Sequence, residues 1–380
     1  MNRRLAAIAG AAALALVAGG CGGSSGGGKA GGETLTVYVS APLHGDREAA
    51  GRAIVDGARL ALADAGGRVG DLKVRAVYLD DTRDGRWSLA RTAANARSAA
   101  EDVTAIGYIG DLDSGATRAS LPITNQAEMA QISPVSTAVD LTRLPPVGDT
   151  SPARLQPSGR QTFARVVPDD DVEARAAAVW AKRMGTKRVG SVTDGSAFGQ
   201  TLARAFDQET ARIGLGTGEG GGVDLVYYGG GPDGFSRATR GLPPRPIIGS
   251  DALIDPAFLR SATAFADRLY VTSPFLDPSL LPAAGQRFVR AYRRQFGTVN
   301  PAAAYGYESM ALLLDAIHRA GPSGDDRNAV IDEVLSTHDR HSVLGTYSID
   351  GNGDTTLDTV SGYRISDGLP VFPVKLEAPR

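Results

Sequence analysis

The chain has 380 residues, 42% hydrophobic and 22% charged, with a formal net charge of −2. This is ordinary globular composition, with length for two lobes of roughly 100–150 residues each. A charge so close to zero excludes a general pull toward nucleic acid or an anionic membrane. Cys21 is the single cysteine, which excludes an intrachain disulfide and a thiolate metal cluster.

Arg3 and Arg4 form a basic start, followed by the apolar segment Leu5–Val17. That segment is too short to span a bilayer comfortably. Ala18, Gly19 and Gly20 then supply small residues before Cys21. The pattern resembles a bacterial lipoprotein signal over residues 1–21. Ala18 stands where leucine is usual, with Leu16 and Val17 slightly early. The alternative is an ordinary secretory signal with an incidental cysteine. Lipid attachment is expected at Cys21. Residues 22–32 are Gly/Ser-rich and read as a flexible tether. The folded part is expected from Glu33, outside the cell membrane and anchored to it.

Leu35–Ala41 reads as a strand and Arg52–Ala65 as an amphipathic helix, with Ile54, Ala58, Ala61, Leu62 and Ala65 at helical spacing. Lys73–Leu79 is a second strand and Arg86–Asp102 a second helix. Residues 104–137 hold the most informative pattern. Ala105–Ile109 is an apolar strand ending at Gly110, and a helix opens at Ser114–Gly115. Ala130–Ile132 is the next strand, followed by the polar loop Ser133–Thr137. A right-handed crossover between parallel strands puts both loops at one carboxyl edge of a sheet. Free N–H groups at the helix start suit an anion such as a carboxylate. Ser114, Ser136 and Thr137 would add hydroxyl donors there.

Leu144–Gly159, with four prolines, reads as a surface excursion. Phe163–Val167, the helix Asp171–Met184, Arg188–Thr193 and the helix Gln200–Ile213 continue the alternation, so a second α/β lobe is expected from about residue 160. Gly216, Gly218 and Gly221 have dinucleotide-loop spacing, but a helix precedes them and the strand Asp224–Tyr228 follows. That order is wrong for the motif, and a flexible loop is the better reading. Pro246–Gly249 and Leu269–Ser273 are strands flanking a helical Pro256–Phe265. Leu281–Phe296, Ala302–Ala320 and Arg327–Thr337 read as helices, and Gly345–Leu376 as strands around a turn at Asp350–Asp354. In that turn Asp350, Asn352 and Asp354 match calcium-loop positions. Thr355 and Ser361 then replace the required Gly and Glu. A polar turn without metal explains it.

Taken together, the chain resembles the extracytoplasmic solute-binding proteins of branched-chain amino acid ABC transporters. The resemblance rests on YLDDTRD (Tyr78–Asp84), YIGDLDSGAT (Tyr108–Thr117), ISPVST (Ile132–Thr137), DGSAFGQTLARAF (Asp194–Phe206), VYYGGG (Val226–Gly231), GSD (Gly249–Asp251) and AYGYESMALLLDAI (Ala304–Ile317). It implies an α/β fold of two Rossmann-like lobes with a hinge, the type I periplasmic-binding fold. Lobe one would take residues 33–142 plus 278–338, and lobe two 160–277 plus 345–380. It implies a ligand carboxylate held by Ser114, Ser136 and Thr137, which also help hold its ammonium, and that ammonium paired by Asp251; Gly115, at the helix start, and Phe198 complete the expected ligand-binding set. The implied partners are an amino acid or similar small ligand and a membrane permease. No cofactor, metal or catalytic residue is implied, and a monomer is expected.

Four departures stand out. Ala50 and Gly231 replace aromatics, and Phe198 replaces a tyrosine, which enlarges the pocket or opens it to water. The stretch between Phe206 and Leu225 is too short for its usual strand and helix, so lobe two is expected to be shortened. A ligand-sensing or interaction module no longer coupled to transport is therefore the alternative function. Of the four histidines only His44 falls at the cleft edge, and no nucleophile elbow, zinc-protease or phosphate-loop motif occurs. An enzyme is not expected.

Overall fold

The computed structural model describes residues 28–147, 151–218, 222–265 and 267–378. The expected signal segment, Cys21, the first part of the tether and Gly221 lie outside them. Residues 28–32 are not a free tether. The Ala30 amide donates to the Asp325 carbonyl at 2.6 Å, and the Gly31 amide to that of Val103 at 2.7 Å.

The first sheet runs Arg68–Val69, Leu72–Asp80, Thr34–Ala41, Ala105–Ile109, Ala130–Ser133, Phe163–Arg165. All neighbours but the first pair are parallel. Helices cover both faces, so Thr34–Ala41 is buried almost throughout rather than alternating. Phe163–Arg165, expected to open lobe two, instead pairs with Gln131–Ser133 and ends the first sheet. Three residues of strand were too few to show from periodicity which sheet they join.

Arg86–Asp102 is also corrected. Asp84 and Gly85 both adopt positive φ (52° and 72°), and Thr82–Arg83 pairs with Arg86–Trp87 as a tight hairpin. The helix starts only at Leu89, where the Ser88 side chain accepts the Arg91 amide. The Asp-Gly pair was the available signal.

The second sheet runs Gly216–Thr217, Arg188–Thr193, Leu225–Gly229, Ile247–Gly249, Leu269–Ser273, Thr359–Ser366, Leu369–Glu377, with the last two strands antiparallel. Lobe two is shortened as expected. Its edge keeps a two-residue strand, Gly216–Thr217, and the described residues from there to Leu225 contain no α-helix. Stacked Phe206 and Tyr227 (centroids 4.3 Å apart) fill the core beside it.

The chain passes between the sheets three times. It leaves the first after Arg165 and returns after Ser273, since Leu276 and Leu281 belong to the first core. It leaves again before Thr359. Tyr347, Ile349 and Leu357, in the stretch expected within lobe two, pack in that first core as well. The passages are tied together: the Asp277 amide donates to Ser361 Oγ at 2.8 Å. No described helix is long and apolar enough to cross a membrane.

The first core depends on a close crossing of helices Glu48–Asp64 and Ala302–Arg319. A Cβ on Gly57 would lie 2.1 Å from the Ala303 carbonyl oxygen, and one on Gly306 2.3 Å from that of Ile54. Gly306→Val should therefore lower stability by about 1–3 kcal/mol through forced helix separation. A urea midpoint equal to the parent's would show that the two backbones can part freely.

Candidate ligand cleft

The carboxyl ends of both parallel sheets face a cavity of about 380 Å³. Lobe one contributes Ser114, Arg118, Thr137 and Asp140, and lobe two contributes Asp170, Phe198 and Thr201.

Ser114 begins the helix Ser114–Gln126, but Asp113 is its cap, accepting the Ala116 amide at 2.9 Å. That leaves the Ser114 side chain free to face the cavity, where its Oγ accepts the Ala138 amide at 3.1 Å. Gly115 does not border the cavity. A Cβ there would sit 3.1 Å from Asp113 Oδ1 and 3.8 Å from the Trp87 ring. Ser136 is placed differently from expectation. It is fully buried, shares a 2.7 Å hydrogen bond with Thr117 Oγ1, and donates to the Asp111 carbonyl. Its hydroxyl shapes the wall and does not reach the cavity. Thr137 does reach it, and its carbonyl accepts the Asp170 amide at 3.0 Å. Phe198 lies in the first turn of Ala197–Arg212, which Ser196 caps by accepting the Gly199 amide at 3.0 Å.

Asp251 does not line this cavity, although it is partly exposed. It opens a short 3-10 turn, and its amide donates to Glu173 Oε1 at 2.9 Å. Thr272 Oγ1 donates to the same oxygen at 2.7 Å, while Glu173 Oε2 has no partner. Asp170, Glu173 and Asp251 thus form one acidic group at the lobe-two wall. Burial, then the charge of Asp251, pushes the Glu173 carboxyl far above its ordinary value. Burial raises Asp170 to about 7 and Asp251 to about 6, the latter opposed by Arg47 of lobe one. Arg118 and Asp140 neutralise one another, Nε and Nη2 donating to the two carboxylate oxygens at 2.9 and 2.5 Å.

A second polar group backs the cleft. Arg165 is fully buried; its Nε donates to Asp354 Oδ1 at 2.7 Å, and its Nη1 to the carbonyls of Ser136 and Ala138 at 3.1 and 2.8 Å. Arg143 reaches Asp354 at 3.2 Å and also pairs with Asp169 and Asp171. These contacts join the loop carrying Thr137 to two of the three passages between lobes. They also give the Asp350–Asp354 turn its role: Asp354 faces two guanidinium groups. Among the described residues no cluster of three metal-ligating side chains is present.

Sequence reasoning missed Asp170, Glu173, Arg165 and Asp354. Asp169–Asp171 reads as a favourable acidic start to a helix, which hid that Asp170 turns to the cavity. Arg165 and Asp354 are 189 positions apart.

The periplasmic binding protein family model matches residues 34–240 and 222–368. A Leu/Ile/Val-binding protein of Rhizobium johnstonii is 25% identical, over 88% of this chain and 92% of its own. The crystal structure of a leucine-binding protein from Thermotoga maritima is 23% identical, with a TM-score of 0.69 over 90% of this chain and 99% of that one. A solute-binding protein of an ABC transporter from Rhodopseudomonas palustris, in complex with 3,4-dihydroxybenzoic acid, is 19% identical. Its TM-score is 0.67, over 92% and 99% of the two chains. With the family model matched along both lobes and the fold shared nearly end to end, this chain belongs to the periplasmic binding protein family.

Proposed function

We propose that this protein captures a small polar solute, an amino acid or similar compound, between its lobes and presents it to an ABC permease. The observation that carries the reading is the cavity built jointly by both lobes, with Ser114 and Thr137 on one side and Phe198 and Thr201 on the other. The named ligands and transport role of the relatives support it. Capture by closure follows from three passages able to bend together, each a few residues long. No chemistry on the solute is required. Ser114 and Thr137 orient it, and Phe198 covers it.

The test is thermal unfolding against amino acids, amides, small carboxylates and aromatic acids. A ligand at 100 times its Kd adds about 2.7 kcal/mol of apparent stability. Ser114→Ala and Phe198→Ala should each weaken a hit about tenfold or more, as expected for one lost polar or ring contact worth ~1.4 kcal/mol. A hit unmoved by both variants would place binding elsewhere.

Membrane attachment through lipid on Cys21, and a monomeric state, belong to the same reading. Cys21→Ser should move the protein from the membrane fraction to the soluble one. The reduced edge at Gly216–Thr217 favours one second reading, a sensor or interaction module uncoupled from transport. Binding without uptake in a strain carrying the permease would support that reading.

A further inference from the structure

The cavity borders on an acid that no base among the described residues pairs directly. Of the charged side chains on its wall, Arg118 and Asp140 cancel by their two-point pairing. Asp170 remains. It is 4% exposed, borders the cavity, and its Oδ1 has no hydrogen-bonding partner. No described neighbour forms a salt bridge with it. Thr137 offers a neutral hydroxyl, and the nearby Glu173 and Asp251 are acids themselves. The charge of Arg165 opposes the upward shift of Asp170 only in part, since its hydrogen bonds go to Asp354, Thr142 and two carbonyls, and Arg47 acts on Asp251 from the other lobe.

Some of the donors that would receive an anion are, by contrast, already engaged. The Ala116 amide goes to Asp113, the Ala138 amide to Ser114, and the Ser136 hydroxyl to Thr117 and the Asp111 carbonyl. A solute meets the carboxyl group of Asp170, whose Oδ1 is buried and unpartnered just behind the wall, together with a few hydroxyls and the ring of Phe198. A buried carboxylate beside an aromatic face recognises ammonium and guanidinium groups, by charge-assisted hydrogen bonds and by cation–π attraction.

We propose that the captured solute is a net cation, an organic ammonium or guanidinium compound held by Asp170 and covered by Phe198, rather than a neutral zwitterion. This rests on the solute-capture reading above. The charge of a bound cation would offset the burial that raises the Asp170 carboxyl to about 7, so loading the site favours the carboxylate.

The experiment uses the full chain in mild detergent at pH 8, with calorimetric titration and thermal shift. The cationic probes are L-arginine, L-lysine, agmatine and putrescine; the others are L-leucine, L-isoleucine and benzoate. At least one cationic probe should bind, and the net-neutral and anionic probes should bind at least tenfold more weakly. Asp170→Asn should weaken the cationic probe at least tenfold while its melting temperature without probe stays equal or rises, which separates lost binding from lost folding. Leucine or benzoate binding without any cation would overturn the inference and leave solute capture standing. Cation binding unchanged in Asp170→Asn would overturn the assigned residue and with it the inference. Silence from every probe would overturn both readings.

Discussion

Asp354→Ala should destabilise the protein by about 3–5 kcal/mol, the range for removing one partner of a buried ion pair. Asp354 accepts from Arg165 Nε at 2.7 Å, Arg143 Nε at 3.2 Å and Thr142 Oγ1 at 3.1 Å. Arg165 has no exposed surface. Without Asp354 its nearest carboxylate is Asp169 at 3.9 Å, too far to replace a direct hydrogen bond. The guanidinium would stay buried and undercompensated. Arg143 suffers less, because it is partly exposed and keeps Asp169 and Asp171. Urea unfolding measures the loss. A change below 1 kcal/mol would mean that Asp169 alone neutralises Arg165. The effect should reach the cleft as well, because Arg165 also holds the carbonyls that flank Thr137.

The protein should also gain stability on acidification from pH 8 to pH 5.5. Asp81 is buried with both carboxylate oxygens unpartnered; burial, then the charge of Asp111, raises it to about 8. Burial raises Asp111 and Asp170 to about 7. Each folded value lies above the unfolded value of about 3.9. Their stabilising contribution is therefore complete below pH 4 and lost as pH climbs through the folded values. One proton taken up on folding changes stability by about 1.4 kcal/mol per pH unit, so the gain to pH 5.5 should be at least about 3 kcal/mol. Asp80, Asp102, Asp169 and Asp194 are shifted down by hydrogen bonds or arginine charge that outweigh their burial. Their stabilisation is lost only as pH falls below about 4, which sets the acid limit. Asp81→Asn should flatten the slope and raise stability at pH 8. A midpoint that is flat or falls between pH 8 and 5.5 would show these acids ionised and paired.

Much of this architecture was legible before any coordinates. The apolar run Ala105–Ile109 is a strand with every residue buried, and the helix after it begins at Ser114, as its polar loop suggested. The shortened stretch after Phe206 does leave only a two-residue edge strand. Such features depend on hydrophobic spacing, chain length and capping, all of which act within a few residues. The site was read less completely. Ser114, Thr137 and Phe198 do border one cavity, whereas Ser136 turns into the wall and Asp251 lies off the lining, its amide bonded to Glu173.

The difference is one of range. Alternating strands and helices, two lobes' worth of chain and the loops at the sheet edges follow from neighbours along the chain. Only the tertiary structure assigned Phe163–Arg165 to the first sheet, because a short strand is placed by the partner whose backbone it satisfies. Only it brought Asp354 to Arg165 and set Asp170 at a cavity with a buried carboxyl oxygen left unpartnered. The cost or gain of a charge depends on what surrounds it in space, and nothing in the residues adjacent to Asp170 or Asp354 records those surroundings.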